Sequence, residues 1–87
     1  MQFKAEIHVT LKRTVNDPQG LAIRGGLHSL GYESVEAVRA GKFIEVWIEA
    51  ESASEAERQA KEMSDQLLAN PVIEEYAVSV VEGAPSP

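Results

Sequence analysis

Cysteine is absent from the 87 residues of this chain, so disulfide bonds and thiolate metal sites are excluded. Aromatic residues are scarce at 6%. The chain contains 8 Lys and Arg residues and 14 Asp and Glu residues, which gives a net charge of −6. Because phosphate binding relies on Lys and Arg, this balance argues against a nucleic-acid partner.

Long apolar runs are also missing from the sequence. No run approaches the 18 residues that a membrane span requires, and residues 1–6 lack the apolar core of a signal peptide. We therefore expect a cytoplasmic protein without membrane contact, built as one domain over residues 1–82 with a disordered tail at 83–87. A chain this short buries only about 60–65% of its unfolded surface, which favours support from a partner.

Residues 18–30 have a clear helix signature. Asp17 is placed to cap the first amides, and Pro18 suits the first helical position. Gly31 can take the left-handed conformation that closes a helix. The apolar residues of this segment are spaced to share one face: Ile23, Leu27 and Leu30.

Four segments carry strand patterns. Residues 3–11 and 42–49 alternate between apolar and polar side chains, and residues 72–81 present apolar side chains on both faces. Residues 34–39 break the period of two, which predicts a strand with a bulge or bend. Ala40-Gly41 then reads as a hairpin turn, with glycine supplying a positive φ.

A second helix is predicted to start near Ser52 or Ser54, since each lies three residues before a glutamate in a capping box. It stops before Asn70-Pro71, because a residue that precedes proline avoids the α region. A narrow face of small and apolar residues can lie close to a sheet: Ala53, Ala56, Ala60, Met63 and Leu67.

The predicted order is β-α-β-β-α-β, and the predicted class is α+β. Right-handed crossovers give the ferredoxin-like arrangement, a four-stranded antiparallel sheet with both helices on one face and the first and third strands central. The other sheet face stays bare. Aromatic residues there indicate an interface with a second copy, although isolated exposed aromatics are the alternative: Phe43, Trp47 and, on the last strand, Tyr76.

No catalytic, cofactor-binding or metal-binding residues are recognisable in the sequence. His8 is predicted on the bare sheet face and His28 on the exposed side of the first helix, and neither has partners at metal-ligand spacing. The serines lie in no nucleophile elbow, and the glycines lack the framing of a phosphate-binding loop.

The β-α-β-β-α-β order of elements is also found in two other functional classes of protein. RNA-recognition modules share it, but they stack bases on sheet aromatics within a basic surface, whereas this chain is acidic. Regulatory domains of the ACT type share it too, and they bind amino acids at a dimer interface beside glycine-bearing loops. The glycines near the first helix keep this alternative open.

Four strings, in order along the chain, carry a family resemblance. They are residues 15–20 (VNDPQG), 27–32 (LHSLGY), 38–42 (VRAGK) and 67–76 (LLANPVIEEY), accompanied by Lys12 and Glu45. Together they resemble the PurS subunit of phosphoribosylformylglycinamidine synthase over residues 3–81.

This resemblance implies a place in de novo purine biosynthesis. The complete synthase, a ligase, uses ATP and glutamine to convert formylglycinamide ribonucleotide into its amidine. In the divided form of the enzyme, a large subunit binds ATP and Mg²⁺, and a glutaminase subunit releases ammonia. The resemblance implies that the small subunit assembles these two, contributes to the ammonia route, and forms dimers or tetramers. It does not imply catalytic groups in this chain.

Three cations are candidates for binding a partner subunit. Arg39 and Lys42 flank the predicted turn on an otherwise acidic protein, and Arg24 lies on the first helix. Arginine can form bidentate hydrogen bonds with a carboxylate. The alternative is a solvated hairpin without a partner.

Overall fold

A computed structural model describes residues 1–85. Within them, three strands and two α-helices alternate, which confirms the α+β class and the antiparallel sheet with two helices. The elements in chain order are β1 (Gln2–Leu11), α1 (Pro18–Ser29), β2 (Gly41–Glu49), α2 (Ala53–Met63), a π-helical turn (Ser64–Leu68) and β3 (Glu74–Glu82).

The three strands form an antiparallel sheet in the order β2-β1-β3. Ile7 lies opposite Ile44 on one side and Val78 on the other, which sets the register of the sheet. The side of the sheet that carries these residues, called the inner face, packs against α2. The opposite side is called the outer face. The strict alternation of β1 is confirmed, since Phe3, Ala5, Ile7 and Val9 are all buried.

The predicted strand at residues 34–39 does not form, and this prediction is wrong. The segment runs along α1, where a ring nitrogen of His28 (Nε2) lies 2.8 Å from the carbonyl oxygen of Val35. Val35 and Val38 are three residues apart, so they could not both face a core from one strand. β2 is consequently an edge strand, not a central one.

The predicted hairpin turn at Ala40-Gly41 is also absent. Gly41 begins β2 and has no positive φ. A Cβ at this position would lie 2.5 Å from the carbonyl oxygen of Val9 on the neighbouring strand. Glycine is required there because of close backbone approach, not because of turn geometry.

The predicted caps account for the start of α2 and for the end of α1. The Ser52 hydroxyl accepts a hydrogen bond from the Glu55 amide at 3.1 Å, and α2 starts at the next residue. Gly31 has a φ of 101° and closes α1, where the Tyr32 amide bonds to the carbonyl of Leu27. This pattern is a Schellman motif.

The buried side of the second helix differs from the predicted one at the π-helical turn. Ala56 and Ala60 are fully buried as expected, but Leu67 is 83% exposed. A π turn contains one residue more than an α turn, so the buried face moves by one position to Ser64 and Leu68. The Ser64 hydroxyl, buried there, donates to the carbonyl of Ala60 at 2.8 Å.

The base of α1 is tied to the sheet by one carboxylate. Asp17, 5% exposed, accepts hydrogen bonds from the amides of Gly20 and Ala40, both at 2.9 Å. The hydrogen bond from Gly20, followed by the one from Ala40, holds the pKa of the Asp17 carboxyl below its ordinary value of 3.8. The N-cap of α1 thereby also fixes the residue that precedes β2.

The remainder of α1 does not pack against the sheet. The packing between helices and strands comes from α2, and α1 makes no extended contact with any strand. The radius of gyration is 16.4 Å, whereas about 12 Å is expected for a compact domain of this length. The molecule is accordingly elongated, with extents of 50 × 31 × 18 Å.

The predicted tail begins in contact with the sheet. The Gly83 amide donates to the carbonyl of Gln2 at 2.9 Å, and residues 83–85 have no regular structure. The rest of the predicted tail, Ser86 and Pro87, lies outside the described residues. No helix within residues 1–85 has the length and apolar character that crossing a membrane requires.

We expect Asp17→Asn to lower the midpoint of thermal unfolding by several degrees at neutral pH. The amide cannot accept from two N–H groups without turning its own NH₂ toward one of them. Because folding lowers the pKa of Asp17, its stabilisation is complete above the ordinary pKa of 3.8 and is lost as the pH falls through the folded-state pKa. The difference in unfolding midpoint between the wild type and Asp17→Asn should therefore become smaller in acid.

Glu51→Gln is the matched control, because it removes one carboxylate from an exposed position. It should leave the unfolding midpoint nearly unchanged at every pH. A gap between wild type and Asp17→Asn that stayed constant down to about pH 2 would contradict the role assigned to Asp17.

Candidate partner-binding surfaces

The outer face of the sheet carries the aromatic pair that the sequence predicted there. Phe43 and Trp47 are 51% and 40% exposed. The rings of His8 and Phe43 are stacked with centroids 4.7 Å apart, and Lys4 forms an ion pair with Glu45 at 3.1 Å. The face is therefore a mixed apolar and charged surface with no helix over it.

Tyr76, also predicted for this interface, lies on the inner face of the sheet. It pairs with Val9 on β1, and its hydroxyl donates to Asp65 Oδ1 at 3.0 Å beside the π-helical turn. Burial and the neighbouring carboxylate raise the pKa of the Tyr76 phenol. The structure thus separates Tyr76 from Phe43 and Trp47, while Val81, opposite Lys4, joins the outer face.

The side chain of Arg39 forms hydrogen bonds within its own chain. Its guanidinium donates to the carbonyl oxygens of Leu11, Lys12 and Val15 at 3.2, 2.8 and 3.2 Å. These bonds join the segment before β2 to the segment that leaves β1. Arg39 therefore reinforces the Asp17 connection at the base of α1.

Lys42 and Arg24 lie in different settings. The Lys42 side chain is 58% exposed, and its ammonium lies 4.0 Å from a carboxylate oxygen of Glu74. The Nε atom of Arg24 is buried without a hydrogen-bond partner within the described residues. Lys42 is consequently the more available of the two for a contact with another chain.

The described residues contain no arrangement suited to catalysis at a metal. Within residues 1–85 no group of three or more histidines and carboxylates converges to hold an ion. His8 is engaged with Phe43 and His28 with the carbonyl of Val35. A surface concavity of about 260 Å³ beside Asp17 is lined by Lys42 and Glu74, whose charged groups lie 4.0 Å apart.

One exposed surface was missed by the sequence analysis. The sequence places Ile23, Leu27 and Leu30 on one apolar face of α1, and on this face Ile23 is 41% and Leu30 75% exposed. Periodicity identified this face correctly, but it could not reveal that the rest of the chain leaves the face uncovered.

Comparison with known proteins supplies the family. Residues 4–82 match the PurS family, described as phosphoribosylformylglycinamidine (FGAM) synthase. The phosphoribosylformylglycinamidine synthase subunit PurS of Synechocystis sp. is 46% identical over 87 residues, which cover 98% of this chain and 87% of that protein.

Solved structures agree with this match. Thermus thermophilus PurS superimposes with a TM-score of 0.85 at 44% identity, covering 97% of this chain and all of that one. A chain of the Thermotoga maritima PurLQS structure gives a TM-score of 0.85 at 36% identity, covering 93% of this chain and 99% of that chain. The fold, the family match and these relatives together show that the chain belongs to the PurS family of FGAM synthase subunits, in purine biosynthesis.

Proposed function

We propose that this chain is an assembly subunit of FGAM synthase that bridges a large synthetase subunit and a glutaminase subunit in the cytoplasm. The likeness to a chain of the Thermotoga PurLQS structure carries this proposal. The large subunit would bind ATP and Mg²⁺, and the small subunit would contribute to the path that ammonia takes to it.

The surfaces of the chain support a binding role better than a catalytic one. The outer face offers exposed aromatic side chains on a rigid sheet, which is typical of a protein interface. His8 stacks on Phe43 and His28 contacts a backbone carbonyl, and within residues 1–85 neither belongs to a group of three or more histidines and carboxylates. We propose that Phe43 and Trp47 contact a second copy, and that Lys42 contacts a partner subunit.

Reconstitution tests the assembly role directly. The purified chain alone should show no conversion of formylglycinamide ribonucleotide, and it should restore glutamine-dependent activity when it is mixed with the two other subunits. Unaided turnover, or a mixture with equal activity when the chain is left out, would contradict the proposal. Free amino acids should not raise the melting point of the chain, whereas an ACT-type sensor would be stabilised by its ligand.

The double variant Phe43→Ser/Trp47→Ser should lower the mass measured by sedimentation equilibrium, because it removes the aromatic surface of the outer face. Leu67→Ser is the matched control, since Leu67 is 83% exposed on a different part of the molecule. An unchanged mass in the double variant would show that the outer face is not the contact between copies.

Arg39→Ala and Lys42→Ala should separate a structural role from a binding role. Arg39→Ala should lower the unfolding free energy by about 1 kcal/mol and the melting point by about 4–8 °C, because three carbonyl oxygens lose a donor. Lys42→Ala should leave the melting point unchanged and reduce the recovery of the complex in pull-downs. Undiminished recovery with Lys42→Ala would contradict the contact proposed for Lys42.

A further inference from the structure

Arg24 is a half-buried cation that has no anionic partner within residues 1–85. Its Nε atom is covered and makes no hydrogen bond there, whereas its two terminal nitrogens are not covered in this way. The ion pairs of the described residues engage other cations: the N-terminus, Lys4, Lys42, Arg58 and Lys61. Because a charge held partly away from water is costly without a partner, Arg24 is suited to bind an anion.

The side chain of Arg24 lines a concavity of about 190 Å³ between α1 and the segment 36–39, called the Arg24 concavity. Asn16, which also lines it, carries an amide that can donate to an anion. Two carboxylates lie there as well. Asp17 is buried and accepts from two backbone amides, and Glu36 is exposed and forms no ion pair with Arg24 in the described part of the chain.

The Arg24 concavity has a rigid wall opposite the helix. A Cβ on Gly20 would overlap the carbonyl oxygen of Val38, so the backbones of α1 and the segment 36–39 are in direct contact. Further along the helix, the ring of His28 lies 2.8 Å from the carbonyl oxygen of Val35. Such a site loses little conformational freedom when a partner group enters it.

We propose that Arg24 binds the carboxylate of an aspartate or glutamate side chain that another FGAM synthase subunit inserts into the Arg24 concavity. This inference rests on the proposed function, because it names a contact through which the chain holds the synthetase or the glutaminase subunit. The two terminal nitrogens of a guanidinium match the two oxygens of a carboxylate and form a bidentate pair.

Arg24 and Lys42 offer different contacts to such a subunit. Lys42 is an exposed point charge with a carboxylate oxygen of Glu74 4.0 Å away. Arg24 presents a planar group from a half-buried position, without a carboxylate of the described residues at ion-pair distance. Geometry should therefore matter at Arg24, where lysine is a poor replacement for arginine.

Titration of the chain into a mixture of the two other subunits tests the contact, with glutamine-dependent activity as the signal. Arg24→Gln should raise the concentration needed for half-maximal activity by about 10- to 100-fold, because a charge-assisted bidentate pair is lost. The activity at saturation should be unchanged. Arg24→Lys keeps the charge without the planar group and should fall between Arg24→Gln and the wild type.

Arg58→Gln is the matched control. It removes the same charge from α2, where Arg58 is paired with Glu55 and Glu62, and it should titrate like the wild type. Arg24→Gln that also titrates like the wild type would overturn the inference and leave the proposed function standing. A wild-type chain that restores no activity would overturn both.

The isolated chain shows whether Arg24 serves some other purpose. Arg24→Gln should leave the melting point and the mass in sedimentation equilibrium unchanged. A lower mass would assign Arg24 to the contact between copies, and a lower melting point would assign it a structural role; either result overturns the inference. Free glutamate and inorganic phosphate should not raise the melting point of the wild type. A rise that Arg24→Gln abolishes would assign the site to a small anion instead.

Carbodiimide coupling identifies the source of the carboxylate, since this reagent joins a lysine amine to a carboxylate in contact with it. The complex reconstituted with Arg24→Lys is treated, digested and analysed by mass spectrometry. We expect a link from residue 24 to an aspartate or glutamate of the synthetase or glutaminase subunit. A link to Glu36 or to a second copy, or the absence of a link to either other subunit, would overturn the inference.

Discussion

The position of α1 depends on the carboxylate of Asp17. It accepts from the first turn of the helix and from the residue before β2, so it joins the base of α1 to the start of β2. Arg39 strengthens the same connection through carbonyl oxygens of the segment that leaves β1. A helix held at one end by polar contacts can project, and its apolar side then becomes available to another chain.

Much of the fold was predictable because local signals agreed with it. The alternation of β1, the caps of both helices and the closing glycine at residue 31 all act within a few residues of their effects. The predictions that were wrong concern features that the neighbouring residues in the sequence do not determine. Residues 34–39 run along α1 instead of the sheet, and Gly41 is required by a carbonyl on a neighbouring strand. A π turn displaced Leu67 from the core, and no pattern in the sequence marks such a turn.

The candidate surfaces were predicted in part for the same reason. Phe43 and Trp47 follow from the period of β2, whose two faces differ clearly in polarity. β3 has apolar residues on both faces, so its pattern gave no firm basis for placing Tyr76 on the bare face with Phe43 and Trp47, and the structure turns Tyr76 toward α2 instead. Arg39 resembled a free surface cation in the sequence, because hydrogen bonds to carbonyl groups 24 to 28 residues away leave no local trace.

The loss of the second predicted strand also affects colloidal behaviour. Both β2 and β3 are edge strands, and edges of this kind can template aggregation. Glutamates lie along both edge strands, and their charge opposes pairing with a strand of another molecule. They are Glu45, Glu49, Glu74, Glu75 and Glu82. Near the isoelectric point of about 4.8 the net charge of the chain vanishes, and the repulsion between copies is lost with it. Mild acid should therefore promote edge-to-edge precipitation of the chain.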